Sequence, residues 1–349
     1  MSQKCFYILK GTQGATYVLN TSGQKAINES LKFYKAQNWP SARKKNLFAA
    51  FLWLAGKLRF SQLLSLAEVR QQLFSMFSVN LPLDFDEACS LHISPTRDKI
   101  VVNHHNGSFT KTAFGKSYAK VKREAQHYQK LQKNYHYFTL SQLEQFTVSE
   151  TGYCSLRLHN PAVPIKNKKG FNPVPLLVEL FGSCGLKPVT VSELCQGLLQ
   201  ALDNSSQFDF TRHKEQLHQI IKIRGEQTLF LGFEHRDFKP WNLSLLDKPL
   251  LYDFEEALTE GFPLADLLNY YFDPLMARFP VKKVLSKALD KKHQRLYRHY
   301  MEALQLKLPF DVLLFWYVLR RILFWQNEKA KAAAFYELSL SLLAHDEIG

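Results

Sequence analysis

His235-Arg236-Asp237-Phe238-Lys239-Pro240-Trp241-Asn242, followed by Tyr252-Asp253-Phe254-Glu255, is the stretch on which the reading of this chain turns. Asn242 stands five residues after Asp237, and Asp253 eleven further on. Transfer of a phosphoryl group from a nucleotide needs a carboxylate that orients and deprotonates the acceptor hydroxyl. It also needs hard oxygen ligands that hold magnesium on the phosphates, and an amide and a second carboxylate supply them. On this pattern Asp237 is the candidate catalytic base, and Asn242 and Asp253 are the candidate magnesium ligands. His235 and Arg236 brace the loop, and Lys239 is placed to neutralise charge on the transferring phosphoryl group. A single His-x-Asp arises often by chance; its combination with the Asn and with Asp-Phe-Glu does not.

The same segment predicts a hairpin, Leu243 to Leu246 and Leu250 to Asp253, turning at Asp247-Lys248. Upstream, Cys89 to Ile93, Ile100 to Val102 and Ser108 to Phe114 read as strands. Asn106-Gly107 is the favoured dipeptide of a two-residue hairpin turn. Phe109, Lys111 and Ala113 share one face of their strand. A helix over Tyr118 to Leu131 follows, with Val121, Ala125 and Tyr128 on one stripe and Glu124 nearby. Tyr137 to Ser149 and Gly152 to Leu158 form a further antiparallel pair. Lys111 is the candidate phosphate-binding lysine and Glu124, thirteen residues on, its ion-pair partner. The alternatives are an exposed strand lysine and a surface salt bridge, with Lys116, Lys120 and Lys122 as competitors. No G-x-G-x-x-G is present. Ser94-Pro95-Thr96-Arg97 occupies the matching turn, where Thr96 and Arg97 are candidate phosphate contacts and an ordinary turn is the alternative.

Residues 160–175 are a connector rich in Pro, Lys, Asn and Gly, after which the pattern is mostly helical. Helices are expected over Leu176 to Phe181, Val189 to Leu202, Thr211 to about Gln227, Lys283 to Leu304, Asp311 to Gln326 and Ala330 to His345. Asp266 reads as a helix cap, with bracing of the catalytic loop as the alternative. Near the N-terminus, Cys5 to Lys10 and Ala15 to Leu19 are β-like around a Gly-x-x-Gly turn. Helical segments over Phe48 to Leu58 and Phe60 to Phe77 follow, with no visible chemistry. The expected division is an extension of unknown role over 1–87, a small lobe over 88–160 and a large lobe over 161–349.

The 349 residues are 46% hydrophobic, enough for a sizeable core. The formal charge of +14 suits anionic partners, nucleotide phosphates first among them, and also suits peripheral contact with an anionic membrane surface. Binding to nucleic acid is not expected. The five cysteines are scattered without a CxxC, as in a reducing compartment. No signal-peptide pattern is present, and the longest apolar stretches, Leu47 to Ala55 and Val312 to Leu319, fall far short of the ~20 residues of a membrane span. The expectation is a cytoplasmic chain that can meet the inner face of the membrane.

With these residues in place, the chain resembles the protein-kinase-like superfamily, and within it the aminoglycoside phosphotransferase and choline kinase branch. Asp237-Phe238-x-Pro240-Trp241-Asn242, Tyr252-Asp253-Phe254-Glu255 and Gly261-x-Pro263-x-x-Asp266-Leu267 are similar to phosphotransferases of bacterial glycan biosynthesis. The specific part of the resemblance spans about 235–270 and a weaker part 90–160. It implies an α+β, two-lobed fold, with a small antiparallel-sheet N-lobe, a mainly helical C-lobe and here an N-terminal extension. It also implies ATP and magnesium as cofactors, and a hydroxyl-bearing small molecule or glycan as acceptor, such as a sugar or lipid-linked glycan. Arg236 and Lys239 are closer to Ser/Thr protein kinases, which is one alternative. Only a few residues separate Glu256 from Pro263, and no Ala-Pro-Glu follows, which leaves little room for an activation loop. The missing glycine-rich loop supports a second alternative, a non-catalytic kinase-like binding module.

Overall fold

Short runs that alternate between apolar and polar residues build one antiparallel sheet from the first half of the chain. The computed structural model describes residues 5–10, 16–31, 46–54, 63–77, 90–94, 98–104, 107–131, 134–150, 152–160, 171–244, 248–276 and 278–344. The strands are β1 (Phe6–Lys10), β2 (Thr16–Asn20), β3 (Ser90–Ser94), β4 (Lys99–Asn103), β5 (Ser108–Ala113), β6 (Thr139–Leu140), β7 (Gln142–Val148) and β8 (Cys154–His159). Seven of them form a sheet in the order β1-β2-β3-β4-β5-β8-β7. The helix between β5 and β7, α3 (Gly115–Lys130), buries Val121, Glu124, Ala125 and Tyr128. The five strands and one helix expected of the small lobe are all present. Gly107, at the turn before β5, has φ +88°, a conformation that glycine adopts without strain.

Residues before 88 add to this sheet. β1 and β2 form its edge, with Thr16 opposite Ile93 and Val18 opposite Leu91. Phe6, Val18 and Val69 share a core with Leu91, Ile93, Ile100 and Val102. Val69 lies on α2 (Leu66–Phe77), and α1 (Gln24–Ser30) buries Ile27 against Leu19. Residues 46–54 are helical and overlap the segment expected over Phe48 to Leu58, whose last four residues lie outside the described ones. Leu64, expected to be helical, instead bridges Phe6.

The chain divides into two compact units. The first gathers 1–132, 139–166 and 250–255, and the second 133–138, 167–249 and 256–349. Of the two short strands of the expected hairpin, β11 (Leu243–Ser244) and β12 (Leu250–Leu251), the second belongs with the first unit, where it pairs in parallel with β6.

The second unit is mainly helical: α4 (Val174–Phe181), α5 (Val191–Asp203), α6 (Thr211–Arg224), α7 (Ala265–Met276), α8 (Val281–Ala288), α9 (Lys291–Ala303), α10 (Phe310–Phe324) and α11 (Lys329–Leu343). It also holds strands that the sequence reading left out: β9 (Lys187–Thr190), β10 (Thr228–Glu234) and β13 (Leu258–Gly261) form a sheet with β10 central. The single helix expected over Lys283 to Leu304 is two, because Asp290 caps α9 by accepting from His293 N at 2.9 Å. The apolar run from Val312 to Leu319 lies buried in α10, as an all-round hydrophobic helix must. Among the described residues no helix is long and apolar enough to cross a membrane.

Candidate functional site

In the first unit, Lys111 lies mid-way along β5 and Glu124 on α3, and the two meet. Lys111 Nζ donates to both Glu124 oxygens, at 2.9 and 2.8 Å. It also reaches Asp253 Oδ1 at 2.7 Å and Glu255 Oε1 at 3.1 Å. Lys99 Nζ, at the start of β4, lies 2.5 Å from the same Glu255 oxygen. Glu124 is fully buried and also accepts from Phe254 N–H at 3.2 Å, while the Phe254 ring packs edge-on against Tyr128. The surface alternatives for Lys111 and Glu124 are thereby excluded.

Burial pulls the Lys111 ammonium down, but the carboxylates of Asp253, Glu124 and Glu255 outweigh it and hold its pKa well above 10.5. Complete burial pushes Glu124 up to about 7, opposed by Lys111. Asp253 takes a left-handed backbone conformation, φ +72°, and its side chain keeps 37% exposure where that of Glu124 has none. Carboxylate oxygens of Glu124, Asp253 and Glu255 lie within 4.8 Å of one another, close enough to share a cation.

In the second unit, β10 delivers the chain into the loop that carries Asp237. Arg236 there has φ +63°, which costs a non-glycine residue about 1–2 kcal/mol. Four hydrogen bonds fix it. Asp266, in the first turn of α7, accepts from His235 N at 2.6 Å and Arg236 N at 2.9 Å. Asn269 Nδ2 and an Arg321 guanidinium N–H donate to the Arg236 carbonyl, at 3.1 and 3.4 Å. The carboxylate of Asp266 is thus turned to the loop, which corrects the helix-cap reading in favour of the brace. Burial, reinforced by the charge of Glu234, raises Asp266 to about 8, against the two N–H donors. The Arg236 guanidinium stacks 4.4 Å from the Phe324 ring centroid, and the fully buried His235 ring packs edge-on to Phe238. Glu234 accepts from Phe262 N and Arg320, each at 2.8 Å, and ties β10 to β13 and α10.

A single turn of 3-10 helix, Pro240–Asn242, brings Asn242 back onto Asp237. Asn242 Nδ2 donates to Asp237 Oδ2 at 2.6 Å and to the Asp237 carbonyl at 2.9 Å. Lys239 pairs with the other Asp237 oxygen and lies 3.3 Å from Asp273 Oδ2, which Arg321 also holds at 2.7 Å. Thr96 and Arg97, and the Gly-x-x-Gly turn, lie outside the described residues, as do 245–247 of the expected hairpin.

The sequence reading gave no role to Lys99, Glu255, Asp273 or Arg321. Two of these had a signal. Asp273 follows Asp266 by two helical turns, on the same face. Arg321 interrupts a run of apolar residues that only a buried helix explains, and a buried Arg needs an anion.

No protein-family model matches the sequence, and no curated protein matches it. Among solved structures the chain is similar to a thermostable mutant of aminoglycoside phosphotransferase APH(4)-Ia in ternary complex with AMP-PNP and hygromycin B. That similarity has a TM-score of 0.48 and 11% identity, over 81% of this chain and 99% of that one. It is also similar to the GDP complex of wild-type aminoglycoside 2'-phosphotransferase-IIIa, with a TM-score of 0.47 and 12% identity over 79% of this chain and 99% of that one. A GDP and kanamycin complex of the latter type gives 0.46 and 12% over 80% and 99%.

Proposed function

We propose that this protein is an ATP- and magnesium-dependent phosphotransferase that phosphorylates a hydroxyl of a small molecule or glycan. The observation that carries the reading is the buried clamp of Glu124 on Lys111 beside Asp253. A fully buried carboxylate costs several kcal/mol of desolvation, and holding one lysine for phosphate is a function that justifies it. Asp237, oriented by Asn242, is the base that takes the acceptor proton. Because the Asn242 amide nitrogen is committed to Asp237, its oxygen is the atom left to bind a hard cation. Asp253 adds a carboxylate, and these two donors suit magnesium. When bound, magnesium offsets charge on the β- and γ-phosphates. Lys239 starts on Asp237 and Asp273 and turns to the transferring phosphoryl group. The small lobe of this enzyme is then 88–132 and 139–160 with 250–255, widened by β1 and β2, and the large lobe is 133–138, 167–249 and 256–349.

A sugar or lipid-linked glycan is the acceptor to which the resemblance to phosphotransferases of glycan biosynthesis points, and a basic, cytoplasmic enzyme at the inner face of the membrane goes with it. The test is ATP consumption with a panel of hydroxyl acceptors. Asp237→Ala is expected to lower turnover about 10³-fold while a melting shift with magnesium and ATP persists. Unchanged turnover in that variant would refute the mechanism. Label from ATP appearing on generic proteins would replace it with the protein-kinase reading. Absence of any melting shift in the wild type would replace it with the binding-module reading.

A further inference from the structure

Lys99 and Glu255 take no part in the mechanism above, yet both are largely buried beside Lys111. In the β4–β5 register Lys99 faces Ala113 and Val101 faces Lys111, so the two lysines are diagonal neighbours on one face of the sheet. They meet at one oxygen, Glu255 Oε1, 2.5 Å from Lys99 Nζ and 3.1 Å from Lys111 Nζ.

An ammonium has three N–H bonds. Lys111 Nζ already has four carboxylate oxygens within 3.1 Å: two of Glu124, one of Asp253 and one of Glu255. To donate to a phosphate oxygen and keep Glu124, Lys111 must release another carboxylate. A buried carboxylate without a cation is strongly disfavoured. Glu255 has a second cation in place, Lys99, at the shorter distance.

We propose that Lys99 is the counter-ion that takes over Glu255 when nucleotide phosphates arrive, so that Lys111 is released to bind them. Lys99 and Glu255 are then positioning residues that set the affinity for ATP without touching it. The inference rests on the phosphotransferase reading.

Titration calorimetry with magnesium and ATP on the full chain tests it. Lys99→Met leaves Glu255 on Lys111 and is expected to raise the Kd about ten-fold or more. Glu255→Gln removes the competing charge and is expected to bind ATP at least as tightly as the wild type. The double variant is expected to return to within about three-fold of the wild type, a rescue that neither a direct phosphate contact nor a purely structural lysine would show. Unchanged binding by Lys99→Met, or a loss that Glu255→Gln fails to restore, overturns the proposal alone. If Lys99→Met does not fold, Glu255→Gln decides, and weaker binding by it is the overturning result. A wild type that binds no ATP overturns the phosphotransferase reading as well.

Discussion

Lys111 and Glu124 show how one buried pair couples stability, pH and binding. Lys111→Met leaves Glu124 buried without its cation, and is expected to destabilise the protein by about 3–5 kcal/mol in denaturant melts. Adding Glu124→Gln in that background is expected to recover most of the loss, as a double-mutant cycle would show. Acid acts on the two properties in opposite directions. Burial raises Glu124 from 4.5 to about 7, so the folded protein holds this proton more tightly than the unfolded chain. Its contribution to stability is fully present below 4.5 and is lost as pH rises through 7. A protonated Glu124 no longer orients Lys111, so ATP affinity is expected to fall as pH drops through about 7 and to flatten in Glu124→Gln. These two residues were legible because a strand followed by a helix places them together. Lys99 and Glu255 were not, because they meet each other only through the fold.

Elements show a similar split. The strands of the small lobe alternate and end at turn residues, so each could be located. β10 escaped although Gly225 separates it from the helix before, because its partner β9 is four residues long and lies about forty residues upstream, so the pairing shows only in the fold. The break between α8 and α9 escaped because the helical period continues through it, although Asp290 marked it as a cap. The loop that carries Asp237 hangs from α7 and α10 rather than from its own sequence. Asp266→Ala removes the acceptor of two N–H groups at the loop and is expected to cost about 2–4 kcal/mol and to lower turnover; Asp266→Asn, with one acceptor left, should cost less. In the same unit, His213 on α6 is buried and bonds Ser339 on α11 at 2.8 Å. Burial, aided by Arg212, lowers its pKa from 6.5 to about 4. Because the unfolded chain takes this proton first, stability is expected to fall between pH 6.5 and 4, by about 3 kcal/mol in all. Acid titration of melting in His213→Gln checks this: its loss over that range should be shallower.

Over the whole molecule, composition and charge narrowed the partners to anions but said nothing of how the chain is routed. The expected boundary at 160 is a single cut, whereas the backbone passes between the two units five times. Segment 250–255 is encoded within the second half and is built into the first unit, where Leu250 and Leu251 pair with Thr139 and Leu140 and Phe254 N–H reaches Glu124. A protease site placed in the 161–170 connector is therefore expected to yield two fragments that co-elute in native gel filtration after cleavage; their separation would contradict the pairing. The same routing bears on recombination between distant relatives. A single crossover in the connector would give Lys99, Lys111 and Glu124 from one parent and Asp253 and Glu255 from the other. A working chimera must move 250–255 together with the first unit, as one inherited block.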